Sequence, residues 1–157
     1  MILYHASTVC IEHPDLDHSR TNLDFGSGFY LTAIKEQAVK YAERFKRLGQ
    51  DAVINKYELD DDLKGFAIKT FSAYDEDWLD FVAMNRRNEN SANDFDMVEG
   101  GVANDKVFNT VDLYFAGIIN KEEALGRLRF AQLNHQVCIR NKSILDNHLH
   151  FLNSQKV

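Results

Sequence analysis

The chain has 157 residues, 45% of them hydrophobic, with 24 acidic and 18 basic side chains and a net charge of −6. That length and apolar share fit a single domain over residues 1–157 with a full core. The acidic balance argues against broad electrostatic binding to nucleic acid while leaving room for a local basic pocket, and no apolar run is long enough to span a bilayer.

The opening Met-Ile-Leu-Tyr-His lacks the basic flank of a signal peptide. Cys10 and Cys138 lie too far apart for a metal or redox motif, so a cytoplasmic protein is expected. Residues 2–6, Ile-Leu-Tyr-His-Ala, read as a strand that can point His5 into a cleft. A polar loop follows over residues 10–24. Its one cation, Arg20, either grips a diphosphate or pairs at the surface with Asp15, Asp17 or Asp24. Gly26 and Gly28 bracket Ser27, where the backbone can take positive φ or approach a ligand closely. Phe29, Tyr30, Leu31 and Thr32 form a short β-prone run. The period then changes: Ala38, Tyr41, Ala42, Phe45 and Leu48 share one face of a helix over about residues 34–48, which Gly49 stops. Tyr30 and Tyr41 therefore sit on consecutive elements, either as two core aromatics or as the walls of a slot.

Residues 52–59 read as a strand, and Asp60, Asp61 and Asp62 as a solvated turn rather than a metal site. Another strand is expected over 66–71, then a helix over 75–88 with Asp75 as its cap and Trp78, Leu79, Val82 and Ala83 inward. Asn85, Arg86 and Arg87 close that helix, where cations suit a C-terminus. Residues 95–98 make a short strand running into Glu99-Gly100-Gly101, a tight turn or a weak phosphate-loop signal. The next helix has Asn104 as a natural N-cap, Val107, Val111, Tyr114 and Phe115 at helical spacing, and Gly117 at its end. Asn120 with Glu123 gives a capping-box-like start to a further helix lined by Ala124, Leu125, Leu128 and Ala131. Residues 136–140 read as a strand, Ile144 and Leu145 mark a short helix, and residues 149–152 a last strand. His148 and His150 are too isolated to argue for a metal. Strands and helices neither alternate regularly nor form an all-β series, so the class is α+β.

Three stretches together resemble the nicotinamide pocket of ADP-ribosyltransferases, in the diphtheria-toxin and poly(ADP-ribose) polymerase branch. They are Tyr4-His5-Ala6-Ser7 at the start, Gly26-Ser27-Gly28-Phe29-Tyr30 followed by a helix carrying Tyr41, and His135-Gln136-Val137-Cys138-Ile139 near the end. The resemblance implies an ADP-ribosyltransferase-like split β-sheet core with flanking helices, and NAD⁺ as ADP-ribose donor with no metal. On that resemblance His5, Tyr30 and Gln136 form the catalytic set. His5 would hydrogen-bond the adenosine-side ribose, and the main chain of Ala6 would pair with the nicotinamide amide. Ser7 completes the His-small-Ser pattern. Tyr30 and Tyr41 would sandwich the ring, with Gly28 lining the pocket and Arg20 at the diphosphate. Ala38 stands where the family often has a Ser, so one nicotinamide contact is missing.

Gln136 aligns with the Glu of the polymerases; it can hydrogen-bond a ribose hydroxyl but carries no charge. Transfer of one ADP-ribose unit to an unknown macromolecular acceptor is implied rather than chain elongation, and a nucleic-acid acceptor is left open. NAD⁺ hydrolysis, an inactive NAD- or ADP-ribose-binding module on the same fold, and an interaction protein with core tyrosines are the rival readings. The chain also resembles a bacterial family of unknown function within this superfamily, often encoded beside a small partner protein. That neighbourhood implies a toxin-like role with the partner as antitoxin.

Overall fold

The structure, a computed structural model, describes residues 1–18, 23–87, 94–103 and 105–157. Among these, the elements in chain order are β1 (Ile2–Ser7), β2 (Phe29–Leu31), α1 (Lys35–Arg47), β3 (Val53–Leu59), β4 (Ile68–Thr70), α2 (Glu76–Arg86), β5 (Met97–Gly100), α3 (Asp105–Phe115), α4 (Lys121–Leu128), β6 (Gln136–Ile139), α5 (Lys142–Asn147) and β7 (Leu149–Lys156). The mixed α+β class expected from the sequence is what forms. None of the described helices is long and apolar enough to cross a membrane.

The strands make two sheets. One is antiparallel with order β1-β3-β7; the other runs β2-β6-β5-β4, antiparallel except for β4 beside β5. A single antiparallel bridge between Tyr4 and Thr32 joins them, with Tyr4 N–H to Thr32 O at 2.8 Å and Thr32 N–H to Tyr4 O at 2.9 Å.

Side-chain alternation on the strands sorts the core into three parts. Leu3, Phe29, Leu31, Val137 and Ile139 face a layer shared with Tyr57, Ile144 and Leu149. Tyr30, Val98 and Cys138 face the other way, against Trp78, Leu79 and Val82 of α2 and Val107 and Val111 of α3. Tyr4 and Ala6 lie under α1, whose Ala38 and Ala42 pack on Ala52 and Ile54. Bridge partners project their side chains to the same side. Helix α1 over the first sheet and α2–α4 over the second therefore flank one seam, where β1 meets β2.

The helix starts follow their caps. Asp75 Oδ1 accepts Trp78 N–H at 2.9 Å, Asn120 Oδ1 accepts Glu123 N–H at 2.8 Å, and Asn141 Oδ1 accepts Ser143 N–H at 2.8 Å. The expected cap Asn104 lies outside the described residues. Helix α1 departs from its expected face: Tyr41 is 42% and Leu48 74% exposed. Ala38 and Ala42 are short enough to bring the helix close to the sheet, so only they are fully covered and the larger residues stay at the flank. Strand β7 runs to Lys156, longer than the apolar stretch suggests, because β3 supplies register partners from Leu149 to Lys156 for every residue but Leu152, where the register shifts. Asp60 is not merely solvated; its two oxygens take His148 Nδ1 at 3.1 Å and His150 Nε2 at 2.9 Å.

Candidate functional site

The seam is built from the ends of β1 and β2. Both main-chain groups of Tyr4 go to Thr32, so the Tyr4–Lys56 pair with β3 is a non-hydrogen-bonded one. Alternation along an antiparallel ladder then turns the N–H and C=O of Ala6 toward the seam as well. Continuing the Tyr4–Thr32 register would set Ala6 opposite Tyr30. Instead the Tyr30 carbonyl takes the His5 imidazole, with Nδ1 at 2.6 Å. The ladder stops there, and no partner for the Ala6 N–H or C=O is found among the described residues. Ala6 thus offers a donor and an acceptor side by side at the edge of β1.

His5 stacks on Phe29 with ring centroids 4.4 Å apart. A carbonyl only accepts, so Nδ1 carries the proton and Nε2 is an acceptor. Burial pushes the imidazole below its ordinary pKa, against the opposing pull of the Tyr30 hydrogen bond. The ring is neutral at pH 7.

Tyr30 anchors the glycine loop before β2. Its hydroxyl donates to Gly26 O at 2.5 Å and accepts Phe25 N–H at 3.1 Å. Burial first, and then Cys138 beside it, raise the phenol far above its ordinary range. Burial likewise pushes the Cys138 thiol up to about 12. Neither group exchanges protons near neutral pH. Arg140 Nη1 donates to Ser27 O at 2.6 Å and holds the same loop from β6. Gly26 has φ of 80°, a conformation that favours glycine. Gly28 is a glycine for a different reason: a Cβ there would lie 2.4 Å from Cys138 Sγ and 2.7 Å from Ile139 O.

Gln136 opens β6 opposite Gly100, two residues before Cys138, the register partner of Tyr30. It is 7% exposed, and its Nε2 donates to Gly101 O at 3.3 Å. The same carbonyl accepts Trp78 Nε1–H at 3.1 Å. Tyr74 hydroxyl donates to Val102 O at 2.6 Å. A Cβ on Gly101 would meet Tyr74 at 2.5 Å, which accounts for this glycine as a close packing point.

Two side-chain pairs around the seam are not evident in the sequence. His135 Nδ1 accepts Ala33 N–H at 3.0 Å, so Nε2 carries the proton and donates to Glu99 at 2.7 Å. Gln37 of α1 clamps the His135 backbone from both sides, Nε2 to O at 2.8 Å and Oε1 from N–H at 3.2 Å. Asp24, at the head of the glycine loop, receives Arg86 Nη2 at 2.8 Å and Nε at 3.1 Å, and its second oxygen accepts Ala103 N–H at 3.3 Å. Arg86 stands in the last turn of α2, as expected of a helix-end cation, and also reaches inward to Asp24. The signals available were Asp24 next to Phe25-Gly26 and Glu99 before two glycines, neither of which names its partner.

Of the expected site residues, His5, Ala6, Tyr30 and Gln136 gather at the seam or on the strand pair beside it. Ser7 ends β1, where its Oγ accepts Val9 N–H at 3.3 Å. Arg20 lies outside the described residues. Tyr41 makes no ring contact with Tyr30 among the described residues; its ring meets Phe45 edge-on at 5.9 Å, with the Arg44 guanidinium 4.9 Å from its centroid. Gln37 and Tyr41 are one turn apart on the same flank of α1. The reach of Gln37 to His135 therefore turns the Tyr41 flank toward the β6 side.

No curated protein matches this chain. A family model does, over residues 1–151, and it carries the description Protein of unknown function (DUF3990). With all but the last few residues matched, the chain belongs to that family.

Proposed function

We propose that this protein binds NAD⁺ at the seam between β1 and β2, on an ADP-ribosyltransferase-like split-sheet core, and transfers one ADP-ribose unit to a macromolecular acceptor. The observation that carries the reading is the main-chain edge of Ala6, which has no partner among the described residues because His5 holds the Tyr30 carbonyl. A primary carboxamide has one acceptor and two donor hydrogens, the complement of that edge. The exposed Tyr41 ring supplies a flat surface for nicotinamide, and neutral His5 offers Nε2 as an acceptor for a ribose hydroxyl. Cleavage between nicotinamide and ribose builds positive charge on the sugar, as in glycoside hydrolysis. Gln136 offers that charge a dipole and not a carboxylate, which favours slow, single-unit transfer over chain growth.

One observation favours a second reading, an NAD⁺- or ADP-ribose-binding module without chemistry: the Gln136 amide is already committed to Gly101 O. Calorimetric titration with NAD⁺ and with ADP-ribose, paired with nicotinamide release, separates the two. Binding with release supports transfer, and binding without release supports the module. Binding of neither ligand rejects both. The acceptor is sought by incubating cell lysate with labelled NAD⁺ and the protein. Growth arrest on expression in bacteria, relieved by His5→Ala, would support the toxin-like expectation.

A further inference from the structure

The charge of this chain is unevenly placed. Acids outnumber bases 24 to 18 overall, yet α1 carries Lys35, Lys40, Arg44, Lys46 and Arg47 against only Glu36 and Glu43. Among the described residues, none of these five cations lies in an ion pair. Lys69, Arg86, Lys121, Arg127, Lys142 and Lys156 elsewhere each hold a carboxylate. Lys40, Arg44 and Arg47 recur at the spacing of one helix face, opposite the buried Ala38 and Ala42. The exposed ring of Tyr41 borders that face, with Arg44 over it.

We infer that the outer face of α1 is a docking surface for a single-stranded nucleic acid. Unpaired cations in a row offer phosphates their counter-charge, and the remaining acidic surface restricts a polyanion to this helix. An exposed aromatic ring beside an arginine favours a partner with unstacked bases over an acidic protein or a lipid surface. Helix α1 also flanks the seam, so a strand lying on it passes the proposed NAD⁺ pocket. Naming an acceptor class rests on the proposed transfer and on a Tyr41 ring that both ligands would use, but binding is tested without NAD⁺ and with variants that leave Tyr41 in place, so the two ideas fail separately.

The test is fluorescence anisotropy without NAD⁺, using short labelled single-stranded RNA and DNA, a duplex of the same sequence, polyglutamate, and phosphatidylserine vesicles. With about three phosphates neutralised, affinity for the single strands should fall on the order of 10-fold between about 50 mM and about 200 mM salt. The Lys40→Glu, Arg44→Glu, Arg47→Glu triple variant should lose at least about 10-fold at the lower salt. The charge-neutral Lys40→Gln, Arg44→Gln, Arg47→Gln variant, which keeps good helix formers, should lose an intermediate amount with unchanged circular dichroism. Lys64→Glu, on a turn remote from α1 in sequence, is the control. Failure of both single strands to bind at low salt would overturn the inference. So would equal losses in the control, or equal or tighter binding of the duplex, the acidic peptide or the vesicles.

Discussion

His5 Nδ1 donates to the Tyr30 carbonyl across 2.6 Å, a side-chain bond in the place where main-chain pairing between β1 and β2 would continue. The bond has a consequence for pH. Burial lowers the folded-state pKa of His5, so the unfolded chain takes up a proton near about 6.5 while the native ring still refuses it. The unfolded state then binds more protons, and stability falls as pH drops below about 6.5, levelling once pH passes below the lowered folded value. Thermal unfolding of wild type and His5→Gln between about pH 7.5 and about pH 5 should show the steeper acid-side loss in wild type. Parallel curves would remove His5 as the source.

Gln136→Glu sets two requirements against each other. A carboxylate would strengthen charge stabilisation at a ribose, but here it would face the Gly101 carbonyl that Gln136 now donates to at 3.3 Å. Two acceptors cannot bond, so the substitution should cost about 1–3 kcal/mol of stability. Nicotinamide release should rise only if the new carboxylate turns away from Gly101. Denaturant unfolding and a release assay on the same preparation check both parts. A variant as stable as wild type contradicts the Gly101 bond.

Gly28→Ala should be poorly tolerated without any ligand being involved. Its Cβ meets Cys138 Sγ at 2.4 Å and Ile139 O at 2.7 Å, and overpacking of this kind costs about 1–3 kcal/mol. Adding Cys138→Ala should relieve only part of the loss, because the backbone oxygen stays in place. Urea unfolding midpoints for the single and double variants read this directly.

The Asp24–Arg86 pair is nearly enclosed, with side-chain exposures of 13% and 11%. Arg86→Met should cost about 3–5 kcal/mol, since it strands the carboxylate that also holds Ala103 N–H. The Asp24→Asn, Arg86→Met double variant should recover part of it. Equal stability of the single and double variants would show that the pair is not coupled.

Much of the fold was readable because it is written in local rules. Asp75 and Asn120 each cap the helix that follows them, and Gly49 and Gly117 sit at helix ends with positive φ. The α1 face was half readable: the apolar spacing gave the helix, but which of Ala38, Tyr41, Ala42 and Leu48 would be covered depends on how closely α1 settles on the sheet. The contacts that shape the seam were not readable. His135 with Glu99, and Asp24 with Arg86, are separated by 36 and 62 residues, and no local pattern encodes which distant group satisfies a buried charge. The open edge of Ala6 depends on hydrogen-bond phase in the β1–β3 ladder, which only the pairing register sets.

The shared carbonyl of Gly101 gives the protein a built-in optical probe. Trp78 is the sole tryptophan, fully buried, and its indole N–H and the Gln136 amide point at the same oxygen. Any event that draws Gln136 toward a sugar leaves that oxygen to the indole alone and alters the dipole beside the chromophore. Emission from Trp78 should therefore shift when a ligand engages Gln136 and stay constant when one engages only α1. Occupancy of the two surfaces could then be followed separately in unlabelled protein.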